Sequence, residues 1–431
     1  MRALLFGMIL GFACAGTQAA DVRSAIYDRD PQHLWNRLYI AIATRAADGA
    51  DYGIDNSEPY GDPVDDPAKV NAILDEFLRT NGQAHSHGNL QQALLLNDVW
   101  AAFDAAAVGE RGPLQHKLAR VVGQLRMTSA AIATLPDNYA QAVRSAAFAK
   151  DFDSQHPDVA FLPADLFDPK GPWVQLGGGG RGLVAPRHVA QVSGRSGFLV
   201  FIRCPGGREA TLSYLQTLNL YRTPWELNPA EIATSYPSRE SVRWDPLQMN
   251  AGTPQFPAGT LVALVRQLIV VNDKLEPVPT PITQSVQFRA YRRVGELAGE
   301  RTPANFGNWQ SLYDLTMRRR DLLAGRAGGF HATAPDETEY RLASVPMGIS
   351  RKELLVGPVV LSTCPRCHQQ DGIFSVNTYT RFLSPGGTTT NPQLLPAESP
   401  QYQIEAAVAW KTQQFNWGLL RGLLEADEKE K

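Results

Sequence analysis

The chain has 431 residues, of which 44% are hydrophobic and 19% are charged, so it can bury a sizeable core and is not a disordered protein. Its 41 basic and 43 acidic residues give a net charge of −2, which lacks the basic excess of a nucleic-acid-binding protein. Four cysteines exclude a disulfide-dense scaffold. The length predicts about two to three domains.

The first 20 residues have the pattern of an export signal. Arg2 supplies one positive charge, an uncharged apolar run extends from Ala3 to Ala13, and small residues lead to a cleavage zone near Ala20. The run is too short to span a membrane, and no later apolar stretch predicts a transmembrane segment in the mature chain. We therefore expect an exported, periplasmic protein. A lipoprotein anchored through Cys14 is the alternative, disfavoured because bulky Phe12 stands where a small residue is required.

Residues 21–154 are expected to form a helical domain. Five apolar residues, Val70, Ile73, Leu74, Phe77 and Leu78, recur at helical spacing between Pro67 and the sequence Asn81-Gly82, which predicts one helix there. Similar runs predict further helices over residues 34–42, 90–107 and 114–135.

Residues 155–300 are expected to form a β-rich domain, because Pro and Gly become frequent and β-branched runs become short. The expected strands cover residues 197–203, 260–271 and 285–291, with a helix over residues 209–218. Residues 301–431 are expected to be mainly helical, with helices over 309–324 and 403–426. The sequence therefore predicts an α+β fold with a helical N-terminal layer, a β-rich middle and a mainly helical C-terminal region.

The strongest motif lies in this last region. Cys364-Pro365-Arg366-Cys367-His368 has the C-x-x-C-H spacing that attaches c-type haem. Two thiols at this spacing lie on one side of a helical turn and can each add across one porphyrin vinyl group, while the following imidazole binds the iron. The other nitrogen of that ring then needs a partner such as a backbone carbonyl. Attachment of this kind takes place outside the cytoplasm, in agreement with the expected export.

On these residues the chain resembles c-type cytochromes, and it is similar to exported bacterial proteins of unassigned function that carry one such motif. The resemblance covers the motif and the signal peptide. It implies one covalent haem c at Cys364 and Cys367, with His368 as the proximal iron ligand, and one-electron transfer to or from a redox partner protein. A single motif excludes a multihaem wire and a two-haem peroxidase.

The position of the second iron ligand departs from the pattern of small monohaem cytochromes. No Met or His follows His368, so a distal ligand must come from upstream or the iron is five-coordinate. Met347 and His331 are the nearest candidates. Met347 can equally fill core space, and His331 can be a loop histidine bonded to water. A five-coordinate iron would indicate a haem-dependent oxidoreductase or sensor with an open distal site.

The cysteines also allow interpretations without haem. Cys364 and Cys367 can form a redox disulfide after an apolar strand over residues 354–361, as in thioredoxin-like oxidoreductases. Together with His368 they can bind zinc, although adjacent Cys and His fit a tetrahedron poorly. A structural disulfide can also use Cys204, which otherwise is expected to be buried and inert. The protein would then be a non-haem binding protein or a thiol-disulfide protein.

Four weaker patterns have structural explanations. Gly177–Gly182 is expected to be a flexible turn rather than a phosphate loop, and His85 and His87 are expected to be surface histidines. Arg318–Arg320 is expected to be a solvated helix end, although it can also meet haem propionates. An apolar stripe on the last helix is expected to be core or a cover for one haem face; it comprises Trp410, Trp417, Leu420 and Leu424.

Overall fold

The computed structural model describes residues 25–47, 50–52, 55, 66–85, 88–106, 112–178, 182–221, 225–227, 247–292, 294, 310–337, 361, 368, 372–376 and 393–429. Helices and an antiparallel seven-stranded sheet give an α+β fold, which confirms the predicted class. Several predicted features lie outside the described residues: the export signal with Cys14, His87, Met347, Cys364, Cys367 and all but the last residue of the strand over residues 354–361.

The N-terminal part is a layer of helices, as predicted. The helices are α1 (Leu34–Ala43), α2 (Pro67–Arg79), α3 (Asn89–Ala106), α4 (Gly112–Leu125), α5 (Ser129–Ala133) and α6 (Asn138–Ser145). Asp66 caps α2 by accepting a hydrogen bond from the Lys69 amide at 3.0 Å. The predicted helix over residues 114–135 is divided into α4 and α5, because the backbone of Met127 bonds to Val271 and Asp273 instead of continuing the helix.

The remaining elements follow in chain order. They are β1 (Arg45–Ala47), β2 (Ala50–Tyr52), β3 (Val174–Gly178), α7 (Pro186–Gln191), β4 (Ser196–Arg203), α8 (Gly207–Leu220), β5 (Trp225–Leu227), β6 (Leu247–Met249), β7 (Thr260–Val271), β8 (Pro277–Tyr291), β9 (Gln310–Met317), α9 (Arg319–Leu323), β10 (Phe330–Ala332), β11 (Leu394–Pro396), α10 (Tyr402–Thr412) and α11 (Phe415–Lys429). The large sheet has the order β10-β9-β8-β7-β4-β3-β11, and β1 with β2 and β5 with β6 form separate pairs.

The large sheet separates two hydrophobic cores, because alternate residues of a strand point to opposite faces. Leu199, Val265 and Phe288 lie in a core shared with α6. Phe198 and Val200 lie in the larger core, which also contains the N-terminal helices. We call the face of the sheet that packs on this larger core the helix-side face. The candidate functional site lies at this face.

The predicted helix over residues 309–324 is wrong. Residues Gln310–Met317 form β9, which pairs with β8 in the register Val286↔Leu315, and only Arg319–Leu323 are helical. Leu312 and Leu315 fit a helical spacing, but Tyr313, Leu315 and Met317 are buried with the period of two that a strand requires. Pairing with the long strand β8 therefore outweighs the local pattern. The predicted terminal helix is likewise two helices, α10 and α11.

The predicted solvated helix end at Arg318–Arg320 is wrong for Arg319, which is fully buried. Its Nη2 donates a hydrogen bond to Asp98 Oδ1 at 2.6 Å, and Tyr27 donates to the other carboxylate oxygen at 2.9 Å. Burial opposes the charged form, but Asp98, Tyr39 and Tyr27 outweigh it and raise the pKa of Arg319. This ion pair joins α9 to α3.

A second group of buried charges joins three distant parts of the chain. Asp104 on α3 accepts hydrogen bonds from Arg195 Nη1 at 2.6 Å and from Lys411 Nζ at 2.9 Å. The three side chains are at most 2% exposed. Lys411 Nζ also lies 4.8 Å from the centre of the Trp100 ring, within the range of a cation–π contact. We call Asp104, Arg195 and Lys411 the three-charge cluster; it holds two positive charges and one negative charge.

Candidate functional site

His368, the last residue of the C-x-x-C-H motif, is oriented by a backbone carbonyl. Its Nδ1 lies 2.7 Å from the carbonyl oxygen of Ser375. Because a carbonyl oxygen only accepts hydrogen bonds, Nδ1 must carry the proton, and the lone pair of the neutral ring is then on Nε2. Metal-binding histidines are commonly oriented by such a contact of the second ring nitrogen.

The carbonyl that holds His368 belongs to a tightly anchored turn. Residues Gly372–Ser375 form a buried 3₁₀ turn, in which the Ser375 hydroxyl bonds to the Tyr291 hydroxyl at 2.6 Å and to the Gly372 carbonyl at 2.8 Å. Gly372 has φ of +51°, and a side chain there would also collide with Gln255. Tyr291 is the last residue of β8, so the end of a central strand fixes the position of the His368 ring.

A second histidine faces this ring. His188 and His368 have their ring centroids 6.2 Å apart, and their ring planes differ by only 9°. The two residues are 180 positions apart in the sequence, and His188 was not among the predicted site residues. His188 lies on α7, whose Val189 is buried in the larger core, and its ring is 5.4 Å from that of Phe198 on β4. The fold therefore brings together two imidazoles with parallel planes.

The environment of the histidine pair keeps His188 neutral. Burial, and secondly the charge of Arg289, lower the pKa of His188 to about 4. At neutral pH this imidazole is therefore uncharged, so one of its nitrogens carries a lone pair, as a metal ligand requires. A neutral imidazole is a suitable ligand for iron, copper, nickel or zinc ions.

Two arginines make this face of the sheet positively charged. Arg266 Nε donates to Ser196 Oγ at 3.0 Å, and its guanidinium lies 5.9 Å from the centre of the Phe198 ring. Arg289 Nη2 donates to Gln287 Oε1 at 3.3 Å. Burial, and secondly the charge of Arg319, lower the pKa of Arg266 to about 9, so it still carries a proton at neutral pH. These groups can interact with an anionic ligand near the histidine pair.

The structure describes only one of the other predicted site residues, His331. His331 is not a loop residue bonded to water: it lies on β10, and its Nε2 is 3.1 Å from Glu337 Oε2. The candidate distal ligand Met347 and the candidate haem attachment residues Cys364 and Cys367 lie outside the described residues. Cys204 is a buried free thiol, as predicted, and burial raises its pKa.

The weaker patterns have structural roles where they are described. Strand β3 ends at Gly178, and α7, which carries His188, begins eight residues later at Pro186. In the predicted apolar stripe, Trp417, Leu420 and Leu424 on α11 are buried, and Trp417 packs 5.7 Å from Trp100. Trp410 lies on α10 and is half-buried. His85 ends a 3₁₀ turn, and its ring lies 6.0 Å from that of His33.

Within the described part of the chain, no cluster of three or more His, Cys, Asp or Glu side chains is arranged to hold a metal ion. In the same part, no helix has the length and apolar character needed to cross a membrane. Comparisons with protein-family models, curated proteins and solved structures find no match to this chain. His188, His368 and the residues around them form the candidate functional site.

Proposed function

We propose that the chain is an exported monohaem c-type cytochrome that transfers single electrons. In this proposal Cys364 and Cys367 hold the haem through thioether bonds, and His368 binds the iron. The observation that carries the proposal is the 2.7 Å hydrogen bond from His368 Nδ1 to the Ser375 carbonyl. It supports the proposal because this bond presents Nε2 of a C-x-x-C-H histidine as the basic nitrogen.

The chain has the groups that such a haem needs. When bound, haem c supplies an iron ion that exchanges one electron between its ferric and ferrous states. The hydrogen bond from Nδ1 increases the basicity of Nε2, so His368 is a stronger ligand than an unsupported imidazole. The anchored Ser375 turn holds the ring in one orientation, which limits movement of the ligand during electron transfer.

The surroundings of the histidines suit a porphyrin. The Phe198 ring lies 5.4 Å from that of His188, and Ile373 and Phe374 of the anchored turn are at most 1% exposed, so the candidate site includes apolar groups. Arg266 and Arg289 can pair with the two propionate groups of a haem. Apolar burial and nearby charge are among the features by which a protein adjusts the reduction potential of a bound iron.

The proposal is tested by exporting the protein together with a cytochrome c maturation system. We expect a red protein whose haem stays bound after denaturation and acetone extraction, with the pyridine haemochrome spectrum of two thioether bonds. A redox titration should then show one reversible one-electron step. The double variant Cys364→Ala/Cys367→Ala should lose the haem, whereas the matched control Cys204→Ala should keep it.

A colourless wild-type protein would contradict the proposal. Titration of the thiols would then separate the remaining interpretations, because a Cys364–Cys367 disulfide reacts with thiol reagents only after reduction and a free dithiol reacts directly. A haem that acetone removes from the wild type would also contradict it, since that result requires non-covalent binding.

A further inference from the structure

We propose that His188 is the distal axial ligand of the iron, opposite His368. This inference rests on the proposed haem function and adds to it the identity of the sixth ligand. It makes the iron six-coordinate with two imidazoles, and it excludes both an open distal site and ligation by Met347 or His331.

The separation of the two ring centroids is compatible with a shared metal ion. A first-row metal binds an imidazole nitrogen at about 2 Å, and the centre of a five-membered ring with bonds of about 1.3 Å lies about 1.1 Å behind that nitrogen. Two imidazoles on opposite sides of one ion therefore have centroids about 6 Å apart. The separation between His188 and His368 is 6.2 Å.

The position of His188 is set by rigid parts of the fold. The helix that carries it begins at Pro186, and the neighbouring Val189 is 1% exposed in the larger core. On the N-terminal side of this helix, the Val184 amide donates to Gln403 Oε1 at 2.8 Å, which ties the segment to α10. His368 is held independently by the end of β8. The 9° angle between the rings thus arises from two separately anchored segments.

The chemical environment also favours His188 over His331. His331 is engaged by the carboxylate of Glu337 at 3.1 Å, which competes with iron for its Nε2. Met347 is a candidate from its distance along the sequence alone, and it lies outside the described residues. A second imidazole stabilises ferric iron more than a methionine thioether does, so the proposal also predicts a reduction potential below that of His/Met cytochromes c.

The test uses the haem-loaded wild-type protein and the variant His188→Ala. In the wild type we expect a six-coordinate low-spin ferric spectrum without the sulfur-to-iron charge-transfer band of a methionine ligand, and no binding of carbon monoxide after reduction. In His188→Ala we expect conversion to a high-spin spectrum and binding of carbon monoxide. Added imidazole should restore the low-spin spectrum, because it can fill the vacated position. Thioether bonds keep the haem in place, so loss of this ligand does not remove the chromophore.

Matched controls are His331→Gln and Met347→Leu, which should keep the wild-type spectrum. A low-spin spectrum in His188→Ala, or a high-spin spectrum in either control, would overturn the assignment. Should His188→Ala fail to fold, His188→Met gives a second measurement: a new methionine charge-transfer band and a raised potential support the assignment, and an unchanged spectrum overturns it. A methionine band or a high-spin wild type refutes it without any variant. Absence of haem from the wild type would instead refute the proposed function.

Discussion

Replacing Asp104 by Asn is expected to destabilise the protein far more than replacing Lys411 by Met. Both residues belong to the three-charge cluster, in which one carboxylate accompanies two cations that are at most 2% exposed. Asp104→Asn removes the carboxylate that both buried cations contact, and it leaves Arg195 and Lys411 mutually repulsive. Lys411→Met leaves Arg195 and Asp104 as a neutral pair.

The magnitudes follow from burial and distance. Arg195 and Lys411 lie 2.6 Å and 2.9 Å from the Asp104 carboxylate. Removing one partner from such a buried pair costs about 3–5 kcal/mol, which is a large part of the total stability of about 5–15 kcal/mol. Lys411→Met removes the excess charge and replaces the side chain with one of similar length. The variant also loses the contact with Trp100, so we expect its free energy of unfolding to lie within about 1.5 kcal/mol of the wild-type value.

Urea unfolding of the three proteins, followed by circular dichroism, measures these differences. The control Asp151→Asn breaks an ion pair with Arg203 in which the carboxylate is 54% exposed, and should cost less than about 1 kcal/mol. Equal losses of stability in Asp104→Asn and Lys411→Met, or a larger loss in Lys411→Met, would refute the assignment of two positive charges and one negative charge to the cluster.

The pH dependence gives an independent check of the same cluster. Burial lowers the pKa of Lys411 from 10.5, a shift that Asp104 opposes and Arg195 increases. Between the lowered pKa and 10.5 the unfolded state binds more protons than the folded state, so this group makes the free energy of unfolding rise with pH. The wild type should therefore gain stability relative to Lys411→Met as the pH increases from 7 towards 10.5. A difference in the free energy of unfolding between the two proteins that stays constant with pH would contradict this expectation.

Three further predictions concern other buried groups. Asp98→Ala should lower the free energy of unfolding by about 3–5 kcal/mol, because Arg319 keeps a fully buried charge. The double variant Asp98→Leu/Arg319→Met should lose less than the sum of its two single changes. A double-mutant cycle in urea measures this, and additive losses would contradict it. Asn138→Ala should cost about 2–4 kcal/mol, because its amide bonds to both backbone groups of Thr283 and to the Gly328 carbonyl; unfolding within about 0.5 kcal/mol of the wild type would contradict this. Cys204 should react with iodoacetamide only after unfolding, since burial raises the pKa of its thiol; rapid labelling of the folded protein, seen by mass spectrometry, would disprove this.

Elements that depend on local spacing could be predicted from the sequence. Helix α2 is bounded by Asp66 and Thr80, close to the Pro67 and Asn81-Gly82 signals, and its four buried residues all belong to the predicted stripe. Strand β7 has the predicted bounds because a long β-branched run between turns has few alternatives. In these segments the preferences of the residues and the packing of the fold agree.

Features that depend on distant partners could not be predicted in this way. The segment Gln310–Met317 becomes a strand because β8 offers it a complete set of backbone partners, which its own leucine spacing does not show. Arg319 was expected in solvent because nothing near it in sequence marks Asp98 as its partner. The proximity of His188 to His368 could not be predicted from the sequence either, because topology, and not distance along the chain, brings the two rings together.

The packing of the last helix on the N-terminal layer has a consequence for the order of folding. His116 on α4 and Asp427 on α11 are 311 positions apart and lie 3.1 Å from each other, and Leu420 and Leu424 complete the core beside α4. Closing so long a loop costs little equilibrium stability, since the entropy grows only with the logarithm of length, but it slows the conformational search. During synthesis the helical layer lacks this wall until α11 has been made, so α4 exposes apolar surface until then. Folding of the layer is therefore expected to be completed only once α11 is available.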